Sequence, residues 1–525
     1  FMQKIGRPVT LADGRAEVAG QLDFLVKDDL TTEEVAFLVE GRLSDVSSET
    51  LVENRVIASS NLRVAADANG MRIWGPGRVG RVPFEGTFTM PFTRGTTGEA
   101  RVEGWVELSE RFMDEFEIGL PPGSVAGQGR GEIEIDFAPD TPPLFRMESD
   151  LAGLALRLDA LDWRVGQAQT GRLVVEGSLG PIPQLDRVAL DAGGLQADGT
   201  VNLNPDGQLQ QANFTRVALG TWLDASVDLV GLGPGKPPLV RVTGGEVDLR
   251  QVSLAGDPDS PRAPSERGPI SLRLDRLQIS DALALTDFNG EFDMSRGPNG
   301  QFSGRLNGQS EIAGRIVPEE GRSAFEITAA DAGGVLRSAN FLRGARDGAL
   351  RLWLRPGDAQ GTYEGLLKIE SLRVKEAPAL AALINTVSVV GLLEQLNGQG
   401  LHFGEVEARF QLKPDRVTLY SGSAVGAALG ISMEGYYYPE TGYLDMEGVF
   451  SPVYALHALG SLFTRRGEGL FGVVYDLKGS KDNPQVVVNP LSVFTPGGLR
   501  EIFRSPPPAY DNGRPAEEDP APDPL

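Results

Sequence analysis

Apolar and polar residues alternate with period two along almost the whole of this chain, and that alternation constrains its fold more than any motif does. Successive side chains of a strand point to opposite faces, so a sustained period of two writes a sheet with one greasy side. Residues 131–137 show it most cleanly: Ile133, Ile135 and Phe137 fall on one face, against Glu132, Glu134 and Asp136. The same phase groups Val18, Leu22, Phe24 and Val26; Val82, Phe84 and Phe88; Val102, Val106 and Leu108; Leu272 and Leu274; and Phe410, Leu412, Val417 and Leu419. A hairpin follows at 431–450. Ile431, Met433, Gly435 and Tyr437 lie opposite Ser432, Glu434, Tyr436 and Tyr438. Pro439 and Gly442 mark the turn, and Leu444, Met446, Gly448 and Phe450 return opposite Asp445 and Glu447.

Turn residues punctuate the pattern at Asn69-Gly70 and at Pro205-Asp206-Gly207, both strong hairpin signals. Helical signals are few and short: 109–119, about 332–342, two pieces of 376–397 meeting near Thr386 to Ser388, 453–463 and 497–503. So few helices cannot cover so many strands. A sandwich repeats in compact units of about 100 residues, whereas here the strand-turn rhythm continues without a linker. A β-solenoid or stack of sandwiches remains open from the residues. So does a mainly-β fold in which one long antiparallel sheet rolls into an elongated, taco-like hydrophobic groove with a few short helices near the C-terminal end. Roughly 30 strands at about 4.8 Å each would give a length on the order of 140 Å. Residues 257–269 read as a surface loop. The Pro-rich acidic stretch 505–525 reads as disordered.

The 525 residues are 41% hydrophobic with a net charge of −23. The chain therefore has material for a core, but neither the basic patch that nucleic acid needs nor a polybasic membrane-binding surface. There is no cysteine, which excludes disulfides, thiolate metal sites and thiol catalysis and fits an oxidising compartment. No apolar run reaches the length of a transmembrane helix. The nearest, 378–396, is interrupted by Asn385, Thr386 and Ser388. It reads either as helices capping a groove or as an element touching a membrane; its lack of a basic face favours capping. The chain starts on Phe1 in mid-pattern, so N-terminal sequence including any anchor is expected to be missing from it.

The last third carries more specific text. "DAGGVLRSANFLRGARDGAL", "GLLKIESLRVKEAPALAALIN", "GLHFGEVEARFQLKPDRVTL" and "GEGLFGVVYDLKGSKDNPQVVVNPLSVFTPGGLREIF" together resemble the C-terminal region of the bacterial AsmA-like family, especially its YhdP-like members. The match is best over about 325–504, and the stretch before it resembles the family's upstream β-rich repeats, most clearly at 150–163. The resemblance implies a repetitive β-groove region at 1–324, a C-terminal region with short capping helices at 325–504 and the tail at 505–525. It further implies a periplasmic protein held in the inner membrane by an N-terminal helix, a hydrophobic β-groove, and carriage of phospholipids between inner and outer membranes or support of envelope assembly, without catalysis. Asn489-Pro490-Leu491-Ser492, Pro496 to Arg500 and Gly467 to Phe471 match the family's closing motifs as fold signatures. The chain departs from the family after Pro452 and Tyr454, where His457 and a short loop replace an Asn and a longer apolar loop.

On this reading the partners are phospholipid acyl chains, the inner membrane through the missing anchor, and the outer membrane at the C-terminal end; no cofactor or metal is expected. The expected groove-lining residues are Phe24, Phe84, Phe88, Ile133, Ile135, Phe137, Leu272, Leu274, Met433, Leu444 and Met446. The alternative is a structural envelope scaffold or outer-membrane assembly factor whose groove is filled by protein. Motifs of other chemistries fail on context. Gly75 to Gly80 has dinucleotide-loop spacing but runs into another strand. Residues 231–238 miss the phosphate-loop spacing and carry Pro237 where a Ser or Thr is needed. His402 and His457 lie far apart and outside any metal-ligand spacing. The many carboxylates are explained as the solvated face rather than a glycosidase pair, Asp206-Gly207 as a turn, and 213–215 as a chance glycosylation acceptor.

Overall fold

The computed structural model describes residues 12–25, 35–52, 55–92, 98–180, 182–251, 268–387, 390–452, 467–469, 472–489, 492 and 508. Among these residues stand thirty β-strands and four short α-helices: α1 (Glu110–Glu115), α2 (Ala332–Ser338), α3 (Pro378–Thr386) and α4 (Val390–Asn397). The chain divides into two compact units, Phe1–Thr243 and Gly244–Leu525. The expected loop at 257–269 (but for its last two residues), the expected helices at 453–463 and 497–503, the tail apart from Pro508, Val26, His457 and most of the closing motif lie outside the described residues.

In the first unit an antiparallel meander runs from Asp13–Asp23 to Leu223–Val230, each strand pairing with the next. It makes one detour. Leu144–Ser149 pairs directly with Gly171–Ser178, and the hairpin between them, Leu154–Leu158 with Trp163–Val165, folds back on the first residues of Val125–Phe137. Trp163 anchors that hairpin: its ring is buried, and Nε1 donates to the Ala192 carbonyl at 3.1 Å. The turns follow from local chemistry. At 68–69 the Asp67 carboxylate accepts from the Asn69 and Gly70 amides at 2.7 and 3.1 Å. At 204–208 the Asn204 side chain accepts from Asp206 and Gln208, and Gly207 supplies φ +76°.

The second unit repeats the meander from Ile270–Gln278 to Asn483–Asn489, again antiparallel throughout. Its detour is α2 with the short strand Ala345–Arg346, which pairs with the end of Tyr363–Val374. The Asp331 side chain caps α2 by accepting from the Gly334 amide at 2.8 Å. A β-carbon on Gly333 would lie 2.4 Å from Arg346 Cα, so the Gly-Gly pair of the "DAGG" text lets the helix sit directly on the strand. Helices α3 and α4 bury Leu383, Ile384, Leu392 and Leu396, and α3 packs against Asn483–Asn489. The 376–397 segment is therefore two short helices packed on the sheet.

The C-terminal strands of this unit also meet the loop that follows α2. Lys481 Nζ donates to the Asn340 carbonyl at 2.7 Å, Arg343 and Asp482 are 3.5 Å apart, and the rings of Phe341 and Tyr437 meet edge-on at 5.9 Å. Neither unit closes into a barrel among its described strands: the pairings end at Asp13–Asp23 in the first and at Asn483–Asn489 in the second.

Candidate functional site

The candidate site is the apolar side of the sheet, and strand register builds it. Directly paired residues of antiparallel strands lie on the same face, so registers can be read across a ladder as rows. One row of the first unit runs Val18, Gly41, Val64, Ile73, Phe88, Val102, Ile135, Phe145, Gly177, Leu185, Val201, Ala212, Leu229. One row of the second runs Leu272, Gly290, Phe302, Gly314, Ile327, Leu352, Leu367, Ala408, Gly422, Met433, Gly448, Tyr475, Val488. Neither row contains a charged residue. On the opposite face of the first unit, the row Glu17, Arg42, Arg63, Trp74, Thr87, Glu103, Glu134, Arg146, Glu176, Arg187 is mostly charged. β-Bulges interrupt the ladders repeatedly, as between Glu176 and Gly177, without breaking either apolar row.

The charged face is laced by ion pairs between neighbouring strands. Arg101 binds Asp136 at 2.6 Å, Arg216 binds Asp224 at 2.9 Å, and Arg146 bridges Glu148 and Glu176. Hydrogen bonding to these guanidinium groups holds the carboxyls of Glu148 and Asp224 below their usual range, and Arg250 lowers Asp248 to about 2. Arg111, with help from Ser109, does the same for Glu107. Each of these carboxylates is paired with an arginine, and Glu107 is the buried one among them.

Aromatic rings on the apolar face lie down over glycines. A β-carbon placed on Gly77 would come within 2.6 Å of Phe84 Cζ, on Gly314 within 2.3 Å of Phe302 Cζ, and on Gly365 within 2.3 Å of Phe410 Cζ. Each of these glycines is the direct partner of its phenylalanine. The rings therefore spread along the sheet instead of standing off it, and the apolar surface stays low.

Phe84, Phe88, Ile133, Ile135 and Phe137 share the apolar face of the first unit, half-buried. Phe24 follows the first strand and is exposed, as are Val18 at 59% and Leu22 at 66%. In the second unit Leu272, Met433 and Leu444 are half-buried on the corresponding face, while Leu274 and Met446 are fully covered by neighbouring side chains, at 2% and 7% exposed. Phe145, Phe302, Leu352, Leu367 and Phe410 belong with them, although the sequence reading did not assign them to the groove. Their signal was available as large apolar residues set two apart in strands of matching phase.

The hairpin at 431–450 differs from its sequence reading. Ser432 and Glu434, expected in solvent, are each 6% exposed. Residues 467–469 cross that face: Ser432 Oγ donates to Glu468 Oε1 at 2.8 Å, and the Gly469 amide donates to Ser451 Oγ at 2.9 Å. Ser492 of the closing motif accepts from the Val474 amide and donates to the Asn489 carbonyl, a clasp between two strands. The greasy face of the hairpin is covered in part, with Met446 and Phe450 buried and Met433, Tyr437 and Leu444 half-buried. The Gly75 to Gly80 text lies in strand and turn, with Gly77 under Phe84.

Comparison with protein-family models, with curated proteins and with solved structures returned no match for this chain. What stands is an open, mainly-β, mostly antiparallel sheet with one apolar face.

Proposed function

We propose that this chain is a periplasmic, AsmA-like carrier of phospholipids, tied to the inner membrane, whose apolar strand face conducts acyl chains toward the outer membrane. The observation that carries the reading is the uncharged row through thirteen strands of each unit, backed in the first unit by a mostly charged opposite face. Each CH₂ kept from water is worth about 0.8 kcal/mol, so an acyl tail resists crossing an aqueous gap. A half-exposed apolar track removes most of that resistance while the headgroup stays in solvent. No residue has to perform chemistry, and the low surface made by rings lying over glycines leaves room for a chain to slide.

The test is native mass spectrometry with lipid extraction on the purified protein. Several phospholipids per chain are expected. A well-folded chain free of lipid would overturn the reading and favour the scaffold alternative, in which protein fills the face. A specific observation keeps that second reading in play: around Met446 and Phe450 the protein covers its own apolar side.

A further inference from the structure

We propose that the contact between the loop after α2 and the final hairpin of the second unit is a strap that opens and closes the C-terminal end of that unit's apolar face. The loop reaches the turn of that hairpin through Asn340 with Lys481 and Arg343 with Asp482, and Phe341 between them meets Tyr437 on the strand Leu429–Tyr438, two strands in from the hairpin. Tyr437 is on the apolar face, paired with Leu444, and Met446 lies two residues further along the same face. Met446 is covered, yet Phe341 is 56% exposed and the Arg343 and Asp482 side chains are 74% and 58% exposed. Exposed ion pairs contribute little. The strap can therefore part without breaking the strand ladder behind it, whose backbone hydrogen bonds continue to Asn489. Beside it, Val486 and Val488 of the edge strand are half-buried next to α3, so the seam that would part is apolar on its inner side. The contact thus joins a weak, solvent-exposed clasp to an apolar seam, which is the construction of a gate.

The strap itself is tested without lipid. The chain has no cysteine, so an introduced thiol is unique. Met446→Cys reports the covered apolar face next to Tyr437, and Leu274→Cys reports a similarly covered site on the strand Ile270–Gln278. Replacing Phe341→Ala together with Arg343→Glu should speed maleimide labelling of Met446→Cys and leave Leu274→Cys at its original rate. An unchanged rate at Met446→Cys, or an equal rise at both sites, overturns the proposal.

The gating role rests on the conduit reading and has its own arm. Asn340→Cys with Lys481→Cys, joined by a short bismaleimide, should lose transfer of phosphatidylethanolamine from donor to acceptor vesicles. Each single variant treated with the same reagent should retain it. Full transfer by the joined protein overturns the gate. No transfer by the untreated protein overturns the conduit reading instead, and the labelling rates still decide the strap.

Discussion

Gly314 and Phe302 show why glycine is so frequent on a face that otherwise wants bulk. The ring of Phe302 occupies the space a Gly314 β-carbon would take, 2.3 Å from its Cζ. Gly314→Val must lift the ring or displace the backbone, and overpacking of this kind costs about 1–3 kcal/mol. Urea unfolding should show that loss. In a chain already carrying Phe302→Ala the same substitution should cost measurably less, because the two residues share one volume. Asp331 is a second case. Its carboxylate satisfies the Gly334 amide at the start of α2, so Asp331→Ala should lower stability by about 1 kcal/mol, while Asp331→Asn should retain most of it. Both effects belong to single side chains; the Asp before α2 stands in the "DAGG" text, whereas the meeting of Phe302 with Gly314 depends on strand register.

At the scale of the element, the outer face is a ladder of arginines and carboxylates. The carboxyls of Glu107, Glu148, Asp224 and Asp248 are held low chiefly by hydrogen bonds from Arg111, Arg146, Arg216 and Arg250. Because their folded-state values lie below the unfolded ones, the stabilisation is complete above the ordinary carboxylate range. It is lost as pH falls through the lowered values, for Asp248 through about 2. Thermal unfolding should therefore give a melting temperature that is flat near neutrality and falls in acid below the carboxylate range. Arg111→Met should lower the melting temperature at neutral pH, and its difference from the parent should vanish in strong acid, where Glu107 is protonated in either protein. Glu148, Asp224 and the arginines are exposed or partly exposed, so solvent screening keeps their contributions small, whereas Glu107 is buried beside Ser109. Partner identity was not legible beforehand: period two places charge on a face, but which arginine meets which carboxylate depends on register and on the bulges that reset it.

For the whole molecule, the question is whether the two apolar rows act in series. A carboxylate forced against an acyl chain is stripped of water at a cost of several kcal/mol. If lipid must traverse both units, Phe88→Asp alone or Leu352→Asp alone should abolish transfer between vesicles. Native mass spectrometry of the same variants should show lipid lost from the altered unit and retained by the other. Transfer that survives either substitution would mean that each unit binds lipid on its own account. The net charge of −23 sits almost wholly outside the apolar rows, and repulsion between copies keeps such a surface from associating face to face.

Period two was sufficient to read from the residues a mainly-β fold with one greasy side, about thirty strands and a face shared by Phe84, Phe88, Ile133, Ile135 and Phe137, and the helical stretches read near 110, 332 and 376–397 are helices. This follows because the side-chain period of a strand is a local, covalent property that no later packing alters. Other features are not local. Ser432 and Glu434 read as solvent-facing, and in the strand they do point away from the apolar side. A segment 36 residues further on passes over them through Glu468. The meeting of Phe341 with Tyr437 and the packing of α3 on Asn483–Asn489 depend on how the strands between them are placed, which no local pattern fixes. Which face a residue occupies is decided within a few residues of it, but what covers that face is decided by the accumulated geometry of the sheet.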